Sequence, residues 1–300
     1  MNLDYLRTFT EVVRLKSFSD VAEKLAISQP AVSFHIQKLE RDLGVLLIDR
    51  SKKTVTLTEA GKRLLHFAES VESEHDLLLH DIDQLRDELS GDLIFSASNI
   101  PAEYLLPAVL GKFKALHLAI KSQMIVSDSA NVINGVKSGD YELGFCGMVA
   151  EGHNLESFKI GEDEIVLIVF PEHPFAKYKS ISFDELKGEL IISREQTSGT
   201  QQSLLSLLSR AGLDADKLTT SIVLGSTQAV ISAVESRAGI AFISNLAIKK
   251  SLSLGLVHQL NIDGLTLSRD FFCIYQNKKV IPRVVEEFIS FVKVEFSKQH

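Results

Sequence analysis

A seam of apolar positions that recurs every four and three residues constrains this chain more than any other feature. No proline occurs between residues 58 and 89, so the seam predicts one unbroken helix about 48 Å long, from the rise of an α-helix. A small domain cannot bury such a helix, and a heptad seam is typical of helices that pair with a second copy. The seam positions are Leu64, Ala68, Val71, His75, Leu78, Ile82, Leu85 and Leu89.

The alternative partner for this helix is the body of its own chain. Charged positions outside the seam, such as Glu72, Glu74 and Arg86, favour pairing with another subunit instead. His75 lies within the seam, where a polar group can fix the register of the pair, and a pH sensor is its alternative role. The helix predicts a homo-oligomer and divides the chain into residues 1–60, a linker helix over 61–89 and residues 90–300.

Charge differs between the two ends of the chain. Residues 1–66 hold eleven Lys and Arg against eight Asp and Glu, while the remainder holds twenty-one against thirty-one. This asymmetry is typical of a basic head that binds nucleic acid, joined to an acidic body. We also expect a cytoplasmic protein with no membrane contact. No run of eighteen apolar residues occurs, the first fifteen residues are too charged for a signal peptide, and only two cysteines are present.

Residues 1–60 carry the pattern of a helix-turn-helix followed by a wing. The spacing predicts a first helix that ends near Lys16 and a short second helix over 20–25 that Ser19 caps. A third helix has Ser28 as N-cap and Pro30 in its first turn, and it ends at Gly44. Its expected buried face is Ala31, Val32, Ile36, Leu39 and Leu43. Two strands over 46–48 and 54–57 then form the wing.

The exposed face of the third helix is the candidate recognition surface for double-stranded DNA. Two short helices joined by a tight turn place the second of them in the major groove. Polar side chains there can reach base edges, and cations of the wing can neutralise phosphates. The candidate DNA-binding residues are Ser28, Gln29, Pro30, Ser33, Phe34, Gln37 and Lys38 of the helix, and Arg50, Lys52 and Lys53 of the wing.

Three of these residues have a second interpretation. Phe34 either contacts a thymine methyl group or packs under the wing. Lys38 either binds phosphate or is a solvated charge. Ser28 is expected to cap the helix in preference to contacting a base, which leaves Ser33 as the favoured base-contacting residue.

The first sixty residues resemble the DNA-binding domain of LysR-type transcriptional regulators. The matching stretches are 18–25 (FSDVAEKL), 28–33 (SQPAVS), Ile36, 39–40 (LE), 43–44 (LG), Arg50 and 57–61 (LTEAG). Val21 and Leu47-Ile48 depart from the usual Ala and Leu-Phe but stay apolar. The resemblance implies a winged helix-turn-helix that dimerises through the linker helix, as a homodimer or homotetramer, with RNA polymerase as a further partner.

Residues 90–300 alternate between strand-like and helix-like segments, which predicts parallel sheets with helices on both faces. The pattern forms two units joined by a connector near 159–163, and a late strand (268–275) and helix (283–296) return to the first unit. The expected fold is a two-lobed α/β effector domain like that of periplasmic binding proteins. Lobe I is predicted over 90–160 and 266–300 and lobe II over 161–265, with hinges near 160 and 265.

Two strand-to-helix junctions rich in hydroxyl groups, one in each lobe, form the candidate effector site. Ligands of open α/β sheets bind beyond the carboxyl ends of the strands, and helix amino ends attract anions. A small anion or carboxylate is therefore the expected effector, and helix capping alone is the alternative. The candidate effector-binding residues are Ser98, Asn99, Ile100, Arg194, Thr197, Ser198, Gly199, Thr200 and, at a third junction, Ser226. The second and third junctions also resemble regulators of sulfur assimilation.

The sequence holds no motif of a common enzyme class and no metal-spaced cluster of Cys and His. We therefore expect no catalytic residue, no metal and no cofactor. A cytoplasmic solute-binding protein or an enzyme of an unrecognised type is the alternative. A transcriptional regulator accounts for both ends of the chain.

Overall fold

The computed structural model describes residues 2–49, 54–84, 89–149, 154–215, 218–277 and 281–298. Contacts divide the chain into two compact units, residues 1–86 and 87–300. Among the described residues no helix is both long and apolar enough to cross a membrane. Each unit is described by itself.

The first unit is helical. It contains α1 (Leu3–Leu15), α2 (Phe18–Lys24), α3 (Gln29–Leu43) and α4 (Glu59–Gln84). Ser17, and not Ser19, caps α2, because Ser17 is the extended residue just before the helix and its hydroxyl accepts from the Asp20 amide at 3.2 Å. The predicted cap of α3 is confirmed: the Ser28 hydroxyl accepts from the Ala31 amide at 3.3 Å.

The buried face of α3 is close to the prediction. Val32, Ile36 and Leu39 are buried in the core of the first unit, and Ala31 is half-buried. The prediction for Leu43 is wrong: its side chain is 43% exposed. It occupies the last turn of α3, and the chain leaves the helix at Gly44, whose φ of 70° is left-handed and favours glycine.

The wing is smaller than predicted. In place of two strands, the described residues form a single antiparallel bridge between Ile48 and Leu57. The buried Glu40 carboxylate accepts from the Leu47 amide at 2.9 Å and so fastens the start of the wing to α3. Gly61 is required by close approach, since a Cβ there would lie 2.2 Å from the Leu47 carbonyl oxygen.

The seam of α4 changes its surroundings along the helix. Leu64 and Ala68 are buried in the core of the first unit, and Val71 packs against that core. Farther along, Leu78 is 56% and Ile82 is 45% exposed. His75 is exposed as well, and Leu85 lies outside the described residues. Leu78 and Ile82 therefore present apolar surface to solvent. The predicted helix over 61–89 is wrong at its end, because Leu89 is not helical and packs against the core of the second unit.

The second unit alternates strands and helices. Its elements in chain order are β1 (Gly91–Ser98), a π-helical turn (Pro101–Leu105), α5 (Leu106–Leu116), β2 (Ile120–Ser127), α6 (Ser129–Ser138), β3 (Leu143–Cys146), β4 (Leu155–Val169), β5 (Ser180–Ile181), β6 (Ile191–Arg194), α7 (Gly199–Arg210), β7 (Thr220–Leu224), α8 (Thr227–Glu235), β8 (Ala241–Ser244), α9 (Asn245–Ser253), β9 (His258–Ile262), β10 (Ser268–Gln276) and α10 (Arg283–Ser297).

The sheets are mixed, which corrects the prediction of parallel pairing throughout. The main sheet has the order β2-β1-β3-β10-β4-β9-β5, with β8 also paired to β4, and β6 pairs with β7 separately. Pairing is parallel for β1 with β2 and with β3, but β10 is antiparallel to both β3 and β4. Strands β4 and β10 join the two lobes.

The predicted connector at 159–163 is also wrong, because these residues lie inside β4. Strand β4 keeps its backbone hydrogen-bonded to β10 from Leu155 to Glu164 and to β8 from Ile165 onward. One continuous strand therefore passes from the first lobe, which holds β1 to β3, α5, α6 and α10, into the second, which holds β5 to β9 and α7 to α9.

Each lobe has an apolar core. In the first lobe, the Phe288 ring of α10 lies 5.5 Å from Phe95 and 4.9 Å from Phe113. In the second, Leu167 and Leu260 are buried with Leu208 of α7. Cys146 is buried, and burial raises the pKa of its thiol to about 11.

Candidate functional site

The amino end of α3 forms one side of a groove in the first unit. Gln29, Ser33 and Gln37 recur at a spacing of four residues and lie on this side. Ile48 and the wing residues Thr54 and Val55 lie opposite, and the groove measures about 450 Å³. Three of the predicted recognition residues therefore share one polar face beside the wing.

The other predicted DNA-binding residues lie in several places. Ser28 and Pro30 are exposed at the start of α3. Lys38 pairs with Asp42 at 2.7 Å, and this hydrogen bond lowers the pKa of the Asp42 carboxyl. Arg50, Lys52 and Lys53 lie outside the described residues.

Phe34 packs against α1 and not under the described residues of the wing. Its half-exposed ring meets Tyr5 of α1 edge-on, with 6.4 Å between centroids, and the Arg41 guanidinium lies 5.8 Å from the same ring. That alternative is wrong because the side chain points away from the groove-lining face and toward α1. Contact with a thymine methyl group stays a prediction.

A second cavity lies between the lobes of the second unit and measures about 200 Å³. The structure brings eight of the nine candidate effector residues to its wall: Ser98, Asn99, Ile100, Arg194, Thr197, Ser198, Gly199 and Thr200. Ser226 is not on the wall; it caps α8, accepting from the Ala229 amide at 3.1 Å. For Ser226 the capping alternative describes the contact that is present.

Sequence reasoning missed part of the wall. The junction between β2 and α6 contributes Ser127, Asp128 and Ser129, and β10 contributes Arg269 and Phe271. The β2–α6 junction is a strand-to-helix junction of the same sheet as β1, so the rule that found Ser98 could have found it. Arg269 carried no such signal, because its place depends on the antiparallel pairing of β10 with β4.

The positive charge of Arg194 is already paired. Its Nε donates to one Glu195 carboxylate oxygen at 2.9 Å, and its Nη2 donates to the other at 2.7 Å. Nη1 donates to Thr227 at 2.8 Å. Hydrogen bonding from Arg194 lowers the pKa of the Glu195 carboxyl, so this carboxylate is ionised at neutral pH. A further hydrogen bond runs from Nη2 to the Gly225 carbonyl oxygen at 3.3 Å, so Arg194 orders the loop and, among the described residues, keeps one unused N–H donor.

Arg269 is the second arginine of the cavity wall, and it is buried. Its Nε and Nη2 both donate to Asp163 Oδ2, at 3.0 and 2.7 Å, and its Nη1 donates to the Thr200 hydroxyl at 3.2 Å. Burial lowers the pKa of the guanidinium, and the Asp163 carboxylate opposes that effect. The pair connects β4 and β10, the two strands that join the lobes, to Thr200 in the first turn of α7.

The two lobes approach each other closely at Ser129 and Gly199. A Cβ at Gly199 would lie 2.5 Å from Ser129 Oγ, so any side chain at this position would displace the Ser129 hydroxyl. The Ser129 hydroxyl is buried and, among the described residues, has no hydrogen-bond partner. Ser198 precedes α7 without a side-chain cap. Hydrogen-bonding capacity is therefore left over on both sides of the cavity.

No group of three or more His, Cys, Asp and Glu side chains in the described part of the chain is arranged to hold a metal ion. The cavity wall instead combines hydroxyl groups, two arginines and two carboxylates. This arrangement is suited to hydrogen bonding of a small polar molecule.

Comparison with known proteins matches both units to one family. Residues 3–62 match the family described as bacterial regulatory helix-turn-helix protein, lysR family, and residues 86–297 match the LysR substrate binding domain. A probable RuBisCO transcriptional regulator of Trichormus variabilis is 32% identical over 298 residues, which cover 98% of this chain and 88% of the relative.

Solved structures share the fold. A single-residue variant of full-length OxyR from Pseudomonas aeruginosa superposes with a TM-score of 0.70 at 17% identity, covering 98% of this chain and 95% of that one. The CcmR regulatory domain of Synechocystis PCC6803, in complex with 2-PG, gives a TM-score of 0.63 at 21% identity over 69% of this chain and 98% of that one.

Proposed function

The chain belongs to the LysR family of bacterial transcriptional regulators, and on that premise we propose that it binds its operator as an oligomer and responds to a small anion held between the lobes. The observation that carries the effector part is the cavity between the lobes, lined by residues of both. The name of the relative is that of a transcriptional regulator, which favours this class over a free-standing solute-binding protein or an enzyme.

Support for operator recognition comes from the polar face of α3. Ser33 and Gln37 are spaced to follow the major groove of DNA. The protein groove between them and the wing is open to solvent. The wing cations Arg50, Lys52 and Lys53 supply phosphate contacts, which position the protein without reading sequence.

Support for an oligomer comes from the exposed half of the α4 seam. Leu78 and Ile82 carry the heptad and are about half exposed, at 56% and 45%. Pairing with the same helix of a second subunit would bury them. Dimers, or tetramers of dimers, then present several DNA-binding heads to one operator, with RNA polymerase as a further partner.

Support for an anionic effector comes from helix amino ends at the cavity. Asn99 and Ile100 open the helical segment after β1, and Ser198 precedes α7 without capping it through its side chain. Both ends leave backbone N–H groups that favour negative charge. CcmR, which shares the fold, is described in complex with 2-PG, again a small polar ligand. The sequence resemblance to sulfur-assimilation regulators stays a prediction, since the relative reported above is named for RuBisCO.

The proposed mechanism is an equilibrium between two arrangements of the lobes. An effector that contacts both lobes binds the closed arrangement better, so it shifts the population toward closure. In an oligomer joined through α4, closure changes the spacing of the DNA-binding heads. The effector then alters DNA bending and polymerase recruitment.

Ser33→Ala is expected to reduce the preference for operator over random duplex about fivefold or more, because a good base contact contributes about 1–3 kcal/mol of discrimination. Lys53→Ala should weaken binding to both duplexes and flatten the salt dependence, since it removes a phosphate contact. Fluorescence anisotropy at several salt concentrations measures both effects.

The matched control is Ser70→Ala, an exposed serine of α4 whose hydroxyl donates to the His66 carbonyl of its own helix. It should bind both duplexes as the unsubstituted chain does. If Ser33→Ala also leaves both affinities unchanged, the proposed register of the recognition helix is wrong.

A further inference from the structure

Arg269 has unused hydrogen-bond donors at the cavity wall. A guanidinium carries five N–H donors, and Arg269 makes three hydrogen bonds, two to Asp163 and one to Thr200. Among the described residues, two of its N–H groups therefore have no acceptor. Because the side chain is 6% exposed and lines the cavity, a ligand there is the natural source of an acceptor.

The Arg269 side chain is held rigidly. Asp163 Oδ2 accepts two of its three hydrogen bonds, while Asp163 Oδ1 accepts from the Ser244 hydroxyl at 2.9 Å. The guanidinium carbon also lies 5.0 Å from the centre of the Phe271 ring. A guanidinium fixed from several directions binds an oxyanion without the entropy cost of ordering a free side chain.

Ser129 supplies an independent observation. Ser129 is 1% exposed and lines the cavity, and its hydroxyl has no hydrogen-bond partner among the described residues. Buried hydroxyl groups are nearly always hydrogen-bonded in folded proteins. An acceptor on a bound ligand would give the Ser129 hydroxyl its hydrogen bond.

The same wall also carries acceptors. The carboxylates of Asp128 and Glu195 line the cavity, and that of Glu195 is ionised beside Arg194. A ligand with two carboxylates would bring like charges together there, whereas a ligand hydroxyl would donate to them. The cavity measures about 200 Å³, a volume suited to a small acid.

We infer that the effector is a small hydroxylated monocarboxylic acid, whose carboxylate is bound by Arg269 and Ser129 and whose hydroxyl groups donate to the Asp128 and Glu195 carboxylates. The inference rests on the proposed function, because it specifies the ligand of the same cavity. It also assigns the binding of the effector's carboxylate to Arg269 in place of Arg194.

The test is calorimetric titration of the full-length chain with three probes of similar size: glycerate, malonate and glycerol. Glycerate should bind at least about tenfold more tightly than either of the others, since malonate adds a second carboxylate and glycerol lacks one. Arg269→Lys should weaken glycerate binding at least about tenfold, because lysine keeps the charge but loses the planar array of donors.

Ser129→Ala is the second variant and protects the test against misfolding of Arg269→Lys. The substitution removes a hydroxyl that makes no hydrogen bond in the described structure, so the thermal stability of the variant without ligand should be unchanged. Its affinity for glycerate should fall about tenfold. Arg237→Lys is the matched control, since Arg237 pairs with Glu172 at the surface and does not line the cavity.

The outcomes distinguish a failure of the inferred ligand class from a failure of the proposed anionic effector. If glycerate binds the unsubstituted chain and both variants equally, Arg269 and Ser129 are not its ligands, although an effector site remains. If malonate or glycerol binds as well as glycerate, the ligand class is wrong. If no acid of a wider panel of small carboxylates and phosphates binds at all, the proposed anionic effector itself fails.

Discussion

Asp163→Ala is expected to lower the free energy of unfolding of the second unit by about 3–5 kcal/mol, the cost of breaking a buried ion pair by removing one partner. The Asp163 side chain is fully buried and accepts two bonds from Arg269. Without it, the Arg269 guanidinium is left as an uncompensated charge, and the Ser244 hydroxyl loses its acceptor. Urea unfolding followed by far-ultraviolet circular dichroism measures the loss, since the chain has no tryptophan.

Asp270→Ala is the matched control for this prediction. Asp270 follows Arg269 on β10 and pairs with Lys159 at 2.8 Å, but both side chains are partly exposed. Exposed pairs are screened by water and salt, so the control should unfold close to the unsubstituted chain. Equal losses for the two variants would mean that the buried pair contributes no more than a surface pair.

The double substitution Leu78→Glu with Ile82→Glu is expected to convert the proposed oligomer into a monomer and to weaken operator binding about a hundredfold or more. Opposed glutamates in the seam would repel and would remove the apolar surface that pairing buries. Loss of pairing also removes the second DNA-binding head, and with it the avidity of two linked contacts. Analytical ultracentrifugation reports the mass, and fluorescence anisotropy reports the affinity.

The first unit itself should stay folded in this double variant, because Leu78 and Ile82 are exposed and lie beyond the part of α4 that packs into its core. Leu254→Glu is the control, an exposed leucine of the second unit that should change neither mass nor affinity. A double variant that keeps the mass of the unsubstituted chain would rule out α4 as the pairing helix.

Local signals in the sequence were sufficient for most of the first unit. The Ser28 cap, Pro30 and Gly44 delimit α3 through contacts within a few residues, and the structure follows them. The choice of Ser19 over Ser17 failed because both serines can cap, and only the extended backbone of Ser17 decides between them. The wing was overestimated, because the Glu40 carboxylate binds the backbone amides of Leu47 and Ile48 and a single bridge takes the place of two paired strands.

The second unit was predicted in outline, and long-range pairing accounts for the differences. Alternation of strands and helices indicated the α/β class, but it could not reveal that β10 returns antiparallel between β3 and β4. The same pairing keeps 159–163 in a strand and brings Arg269 to the cavity. Periodicity within one segment contains no information about a partner more than a hundred residues away.

The candidate effector residues near Ser98 and Ser198 were predictable because junction position depends on local sequence. The roles of the two arginines were not. Both arginines pair with a carboxylate, but Arg194 makes four hydrogen bonds and Arg269 makes three, and this distinction depends on three-dimensional contacts. The family, and with it the class of function, could be predicted from the first sixty residues.

We propose that an effector between the lobes changes the spacing of the paired DNA-binding heads on DNA. Footprinting of the full-length chain on its operator, with and without the small acid that raises its melting temperature most, tests this directly. We expect footprints of different extent and a change in the DNA bend angle. Identical footprints and identical bend angles, at a promoter whose transcription still responds to that acid, would contradict it.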